Sequence, residues 1–469
     1  MKRKIWKGSL YVLVFLAVII GVALFFSLNR VDKTPYFETE YYSTTITDLN
    51  KALSESKETK GNFSAGFGKA NITPSITSGI EDPANGVFNS VPLAGFSASS
   101  SESATGAHDS IFVKAVAIEV NNKLVVMVGT DILLTPPEVA DNVANMLKPA
   151  GLTREQIYFG ATHTHSSVGS WSPGLVGEES AGKYQPALIS WLSIKVKDAI
   201  LAAISDIQLA KVGSSSLHAP DFIRNRMVDN GRLNDQLDFI SIEQINGRKA
   251  IIGSFSAHAT VIGSSNQEFS GDYPGYFQRK LEEETVDLAL FFAGSVGSHT
   301  NAGKGSGFEK ARIIGESLAD SIIQNLSKIE LSAEATFSNI ASTIQIPKLQ
   351  LIRISENIRL SKKVGEMLLP KIETTYIQAI KLNNLLWITQ PCELSGECAL
   401  DLKNALETAG YNSIITSFNG QYLGYVVPNK YYYFDTYETS LMSWYGPSMA
   451  DYIMELNYTI CDSLTQIKM

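Results

Sequence analysis

The stretch Ile157-Tyr158-Phe159-Gly160-Ala161-Thr162-His163-Thr164-His165-Ser166-Ser167-Val168-Gly169-Ser170-Trp171 decides how this chain is read. It opens as an apolar run of the kind that forms a buried strand. His163 and His165 follow two residues apart, and a Ser/Gly-rich turn comes next. On an extended chain residues i and i+2 share a face, so the spacing predicts two imidazoles looking into one space at the strand's end. Imidazole is a common zinc ligand and, with an ordinary pKa near 6.5, a ready acid–base group. The chain has six histidines and spends two of them here. Two polar residues where a strand leaves the core is the plain reading; a metal or catalytic pair is the chemical one. The stretch alone leaves both open.

Working outward, the pattern alternates between periods of two and 3.6. Strands are predicted over 111–120, 124–130, 239–243, 250–256, 288–292, 335–351, 379–389 and 422–427, several of them almost wholly apolar, as where a sheet is covered on both faces. Helices are predicted over 136–147, 185–207, 274–284, 308–329, 397–408 and 441–467. In the second of these Leu188, Leu192, Val196 and Ile200 form a stripe at helical spacing. Strands alternating with helices imply an α/β or mixed α+β body.

At 469 residues the chain can bury a large core. Its formal net charge of −8 argues against nucleic acid as a partner. No phosphate-binding glycine motif occurs in a strand–turn–helix context. Lys2, Arg3, Lys4 and Lys7 precede a charge-free, mainly apolar run over residues 8–29. A spanning helix needs about 20 such residues, and a basic flank stays cytoplasmic. A cleaved signal peptide usually has a shorter apolar region and a small-residue cleavage site, neither of which is present. The reading is therefore a single transmembrane anchor in residues 1–30, a stalk in 31–60 docked through Tyr36, Phe37, Tyr41 and Tyr42, and an extracytoplasmic body in 61–469. Cys392, Cys398 and Cys461 are too few for a disulfide framework.

Other reactive residues sit at strand ends or in loops: His258 after 250–256, Glu393 after 379–389, Arg226 beside Asn225 in a loop, and Tyr425 and Tyr437 in a tyrosine-dense segment. Singly, each has a dull explanation: a capping histidine, a helix-start carboxylate, a packing tyrosine.

Taken in order, these stretches resemble the neutral/alkaline (non-lysosomal) ceramidase family. The matching motifs are a glycine-rich start over 65–73, Thr-His-Thr-His-Ser over 162–166, the Asn225-Arg226 pair, Ala257-His258-Ala259-Thr260 followed by Ser270-Gly271-Asp272, the Pro391-Cys392-Glu393 turn, and Tyr425-Val426 with Tyr437-Glu438 twelve residues on. The resemblance spans about 36–455 and implies the catalytic domain of that family without its C-terminal all-β module.

It also implies one catalytic zinc held by His163, His258, Glu393 and Tyr425, a ligand chemistry that suits zinc and leaves room for water. His165, Arg226 and Tyr437 fall around the scissile carbonyl, where donors stabilise developing charge, and His165 is placed as proton shuttle to the departing amine. The family's loop serine maps onto or near Thr300, but here the loop reads Gly294-Ser295-Val296-Gly297-Ser298-His299-Thr300-Asn301 and lacks the family's proline. Thr300 either offers a hydroxyl or marks a loop that only shapes the site. Asp131 is either a supporting carboxylate or a plain strand-end acid, and Cys392 is read as packing. The implied activity is zinc-dependent hydrolysis of the N-acyl bond of ceramide or a related lipid. A hydrolase of the same fold acting on another amide or ester, and a non-catalytic membrane-anchored binding protein, are the alternatives.

Overall fold

The computed structural model describes residue 15 and residues 25–468. The charge-free run over 8–29 therefore lies largely outside the described residues. Among the described residues no helix is long and apolar enough to cross a membrane.

Twelve strands join one branched sheet, and the branch point is the strand Thr59–Asn71. Thr59–Asn62 pair antiparallel with Glu334–Gln345, while Phe63–Asn71 pair antiparallel with Phe112–Val120. From there one wing runs through Lys123–Thr130 to Ile157–Ala161. A second runs through Gln208–His218, Gln236–Gln244 and Lys249–Phe255 to Leu288–Ala293, and a third through Thr374–Leu382 and Leu385–Thr389 to Asn412–Thr416. The wings fold face to face over a core that includes Phe63, Met127, Tyr158, Ile252, Phe292 and Trp387. Helices cover the outer faces: Pro137–Leu147 and Pro186–Ser205 on the first wing, Asp272–Glu284 and Gly307–Ile323 on the second, Glu40–Glu55, Gly396–Thr408 and Met449–Thr465 on the third. The result is a mixed α/β body layered helix–sheet–sheet–helix, whose apolar strands are covered on both faces.

Sequence periodicity missed Thr59–Asn71 because glycines interrupt its apolar pattern. Those glycines are what the fold needs. A Cβ at Gly66 would sit 2.1 Å from the Ala203 carbonyl oxygen, and one at Gly68 2.0 Å from that of Ala199, so helix Pro186–Ser205 lies on bare backbone. The run 379–389 is not one strand but the hairpin Thr374–Leu382 and Leu385–Thr389, turning at Asn383 with φ 56°. The predicted strands over 335–351 and 422–427 contract to Glu334–Gln345 and Tyr425–Val426, and the helix over 441–467 to Met449–Thr465. Near the N-terminus Tyr36, Tyr41 and Tyr42 pack their rings around Tyr452, and both Tyr36 and Tyr42 donate to the Glu455 carboxylate at 2.5 Å.

Three parallel pairings orient the strands that matter. Ile157–Ala161 runs parallel to Lys123–Thr130, Lys249–Phe255 to Leu288–Ala293, and Leu385–Thr389 to Asn412–Thr416. Their carboxyl ends are tied together: the Gly294 N–H donates to Phe255, that of Ser417 to Ala293, and that of Gln390 to Thr416. The loops leaving these ends meet over one patch, the usual place for a site on such a sheet.

Candidate active site

Each loop from that patch contributes one side chain. His163 follows Ala161, His258 follows Phe255, Glu393 follows Thr389, and Tyr425 lies beyond Thr416. A two-residue parallel bridge places Glu393 opposite Tyr425. His258 bridges to Thr300, and the strand Ile223–Asn225 pairs with His299–Asn301, so Arg226 arrives beside the same loop with its N–H on the Ser298 carbonyl at 2.9 Å. All four candidate ligands are buried.

The two imidazoles face each other through Nε2 at 3.0 Å. The Glu393 Oε2 oxygen lies 3.6 Å from His163 Nε2 and 3.3 Å from His258 Nε2, and Tyr425 Oη lies 3.3 Å from His258 Nε2. Both Nδ1 atoms are already engaged, His163 with the Leu133 carbonyl at 2.7 Å and His258 with the Val296 carbonyl at 3.1 Å. A ring that donates through Nδ1 presents a lone pair at Nε2. Two such lone pairs and a buried Glu393 oxygen without a hydrogen-bond partner then point at one spot. Burial first, then the Arg226 charge and the neighbouring histidines, push the His258 pKa well down, which disfavours a proton as the bridging charge. A cation there satisfies all three donors, and histidine held by a backbone carbonyl through its far nitrogen is the usual support of a metal ligand. The ligand nitrogens of His163, His165 and His258 also lie within 4.8 Å of one another, so this histidine group could itself hold a metal ion. The oxygen donors favour the pair His163 and His258 with Glu393, leaving His165 beside them.

The two histidines of the opening stretch do meet, with ring centroids 4.9 Å apart, but not by strand pleating. The strand ends at Ala161, and His163 takes φ 60°, a left-handed conformation uncommon for a non-glycine residue and found at sites that over-determine it. His163 is also stacked on Phe418 at 4.3 Å. The extended-chain expectation fails because the strand ends at Ala161 and the backbone turns at His163 itself.

His165 is held from behind. Its ring lies against Phe96 at 4.7 Å, and a Cβ at Gly95, where φ is 110°, would fall 2.4 Å from His165 Nδ1. Neither ring nitrogen has a hydrogen-bond partner. Burial, then His163 and Arg226, hold its pKa well below the ordinary value, so His165 is a neutral imidazole with both nitrogens available.

Arg226 donates through Nη2 to Tyr425 Oη at 2.9 Å and through Nε to Glu438 at 2.7 Å. Burial works against its charge, but Tyr425, Glu438 and Glu393 outweigh burial and keep it cationic. Tyr437 begins the short helix Tyr437–Ser440, stands edge-on to Tyr425 at 5.9 Å and is 53% exposed, placing it at the rim. Thr300 is half-buried in the loop beside His258. Asp131 does not touch the histidines; it accepts from the Phe112 N–H at 2.9 Å and from Gln278 at 2.8 Å, fastening the sheet to helix Asp272–Glu284. Cys392 is buried, with its thiol pKa pushed well up by burial.

Three residues that sequence reasoning passed over belong to the constellation. Tyr422 donates to the second Glu393 oxygen at 2.6 Å. Glu438 steadies Arg226, and Phe418, with φ 67°, floors His163. The tyrosine density of 422–437 was visible, but nothing local separates Tyr422 from Tyr425.

Residues 75–306 match the family described as neutral/alkaline non-lysosomal ceramidase, N-terminal. Among solved structures the chain is similar to the crystal structure of neutral ceramidase from Pseudomonas aeruginosa, with TM-score 0.71, 19% identity, and coverage of 87% of this chain and 75% of that one. It is likewise similar to a ceramidase complexed with C2, with TM-score 0.73, 17% identity, and coverage of 87% and 76%. At those identities the likeness is one of fold; with the sequence match over 75–306, the chain belongs to the neutral/alkaline non-lysosomal ceramidase family.

Proposed function

We propose that this protein is a zinc-dependent amidase that hydrolyses the N-acyl bond of ceramide or a related N-acyl lipid, releasing a fatty acid and a sphingoid amine. The observation that carries the proposal is the convergence of His163 Nε2, His258 Nε2, Glu393 Oε2 and Tyr425 Oη within 3.0–3.6 Å contacts at the carboxyl ends of parallel strands. Family membership and the fold shared with a ceramidase complexed with C2 support the substrate class. Residues 1–30 are proposed as a transmembrane anchor, 31–60 as a linker and 61–469 as the extracytoplasmic amidase body, on the strength of the basic flank and the charge-free run.

His163, His258, Glu393 and Tyr425 would hold the ion. Zinc, when bound, supplies a Lewis acid and an activated nucleophile near neutral pH. Arg226 and Tyr437 lie where donors meet the oxygen of an amide carbonyl entering past the rim, and a preorganised cation in a buried site stabilises the charge developing there. Neutral His165 takes a proton on one ring nitrogen and gives it to the departing amine. Tyr422 and Glu438 orient Glu393 and Arg226. The loop carrying Thr300 shapes the site through the Val296 carbonyl that engages His258 Nδ1, and Thr300→Ala is expected to leave turnover unchanged.

The test is elemental analysis of the purified chain, with release assays on short- and long-chain N-acyl sphingosines. Stoichiometric zinc with amine release supports the proposal. Zinc without release points to another amide or ester, and no metal to a binding protein.

A further inference from the structure

At the end of the charge-free run, residues Leu28–Arg30 add as a strand to the edge of a hairpin formed by Arg353–Ser355 and Ile358–Leu360. The joint extends beyond the ladder: Ser361 N–H donates to Ser27 at 2.7 Å and Val31 N–H to Asn357 at 3.0 Å. The chain is thus stitched to the body where it leaves the apolar run.

Around this joint lies an open cavity of about 1370 Å³. Among the described residues its charged lining is Arg30, Lys33, Lys362 and Lys363, with no carboxylate, and Lys362 alone of these reaches an acid, Glu366, at 3.4 Å. Its apolar lining includes Phe25 and Phe26, exposed by 79% and 63%. Ile354 and Met367, on the same hairpin and the helix Lys362–Leu368 that follows it, are exposed by 55% and 76%. The hairpin also reaches the rim of the active site: Arg353 donates to the Phe434 carbonyl at 2.5 Å and to Ser440, and Lys33 lies over the Tyr433 ring at 5.3 Å. Exposed Phe434 and Tyr437 carry the apolar surface from the hairpin to the mouth.

We infer that this basic, aromatic collar is a docking surface for an anionic phospholipid bilayer, which it grips beside the anchor so that the mouth at Tyr437 faces the headgroup layer. The inference rests on the anchor proposed above. Aromatic rings and alkyl chains settle at the interface while Arg and Lys meet anionic headgroups, the division of labour of interfacial membrane segments. A body on a loose tether would need neither the strand joint nor Ile354 and Met367 left exposed beside those cations.

The full chain, reconstituted in phosphatidylcholine vesicles with or without phosphatidylglycerol, carries the test. The native cysteines are buried, so an Ile354→Cys variant takes a surface fluorophore selectively. Ile245→Cys, at the far end of strand Lys249–Phe255 from His258, is the control. Brominated lipid should quench the dye at 354 and not at 245. Anionic lipid should strengthen the quenching, and R30E/K33E/K363E or molar salt should weaken it by about fivefold or more. Equal, weak quenching at both positions while the chain floats with vesicles overturns the collar and leaves the anchor standing. A chain that does not float with vesicles overturns both.

Discussion

His163 and His258 hold their Nε2 atoms 3.0 Å apart while the Nδ1 of each faces a backbone carbonyl, His163 that of Leu133 and His258 that of Val296. With the far nitrogens as donors the near ones meet as lone pairs, an arrangement that a positive charge between them stabilises. The chemistry proposed here follows from that pairing.

Removing one member of the pair separates binding from turnover. His258→Ala is expected to lower bound metal to a small fraction of an equivalent and abolish turnover. His165→Ala should keep full metal while kcat drops by roughly 10²–10⁴, the scale of a lost acid–base group. Elemental analysis beside initial rates checks both. Loss of metal from the His165 variant would mean that the histidine trio, and not the Glu393 set, forms the ligand sphere.

Tyr422→Phe deletes the hydroxyl that donates to Glu393 at 2.6 Å and leaves the ring packed edge-on against Trp444. Outer partners of ligating carboxylates set metal affinity, so affinity should fall by roughly 10–100-fold with the fold unchanged. Competition with a chelator measures it. Affinity equal to that of the parent protein would assign Tyr422 to packing alone.

Gly95→Ala adds a methyl group 2.4 Å from the His165 ring at a φ of 110°, where side chains are strained. The ring must shift to relieve the contact. Metal content should be retained and kcat reduced by about tenfold or more, since small misplacements of reacting groups are costly. Single-turnover kinetics on the metal-loaded variant decide the matter.

Asp272 supplies a pH dependence that does not involve the metal. Burial, opposed by the N–H groups of Tyr273, Ile262 and Val261, raises its carboxyl from 3.8 to about 6. A raised acid binds its proton more tightly in the folded state. Its stabilising contribution is thus complete below about pH 3.8 and is lost as pH rises through about 6. The shift corresponds to about 3 kcal/mol between those limits. Asp272→Asn should flatten this component, so the difference in unfolding free energy between parent and variant should change between pH 4 and pH 7, favouring the variant as pH rises. A pH-independent difference would show that Asp272 does not titrate in that window.

Much of the architecture was legible because burial writes itself locally. The strand Leu288–Ala293 is apolar throughout, and Lys123–Thr130 is apolar over Leu124–Val128, since both faces of the sheet are covered, and the stripe on Pro186–Ser205 follows from one covered helix face. Thr59–Asn71 was not legible. Its glycines interrupt the apolar pattern, and the helix laid across them explains why a side chain there is forbidden. The hairpin turn at Asn383 hid for a similar reason, since Asn383-Asn384 lacks the glycine that marks the commonest two-residue turns.

For the site, residue type and order were enough to nominate His163, His165, Arg226, His258, Glu393, Tyr425 and Tyr437, because few side chains ligate metal or donate to an oxyanion. Which of them meet was settled elsewhere. The left-handed turn at His163, the parallel bridge setting Glu393 beside Tyr425, and the choice of Tyr422 as the partner of Glu393 depend on segments that are neighbours in space but well separated in sequence, 29 residues in the last case. Composition and periodicity report what each residue's own surroundings demand; convergence on a single point is a property of sheet register and loop path, which no short stretch of chain encodes.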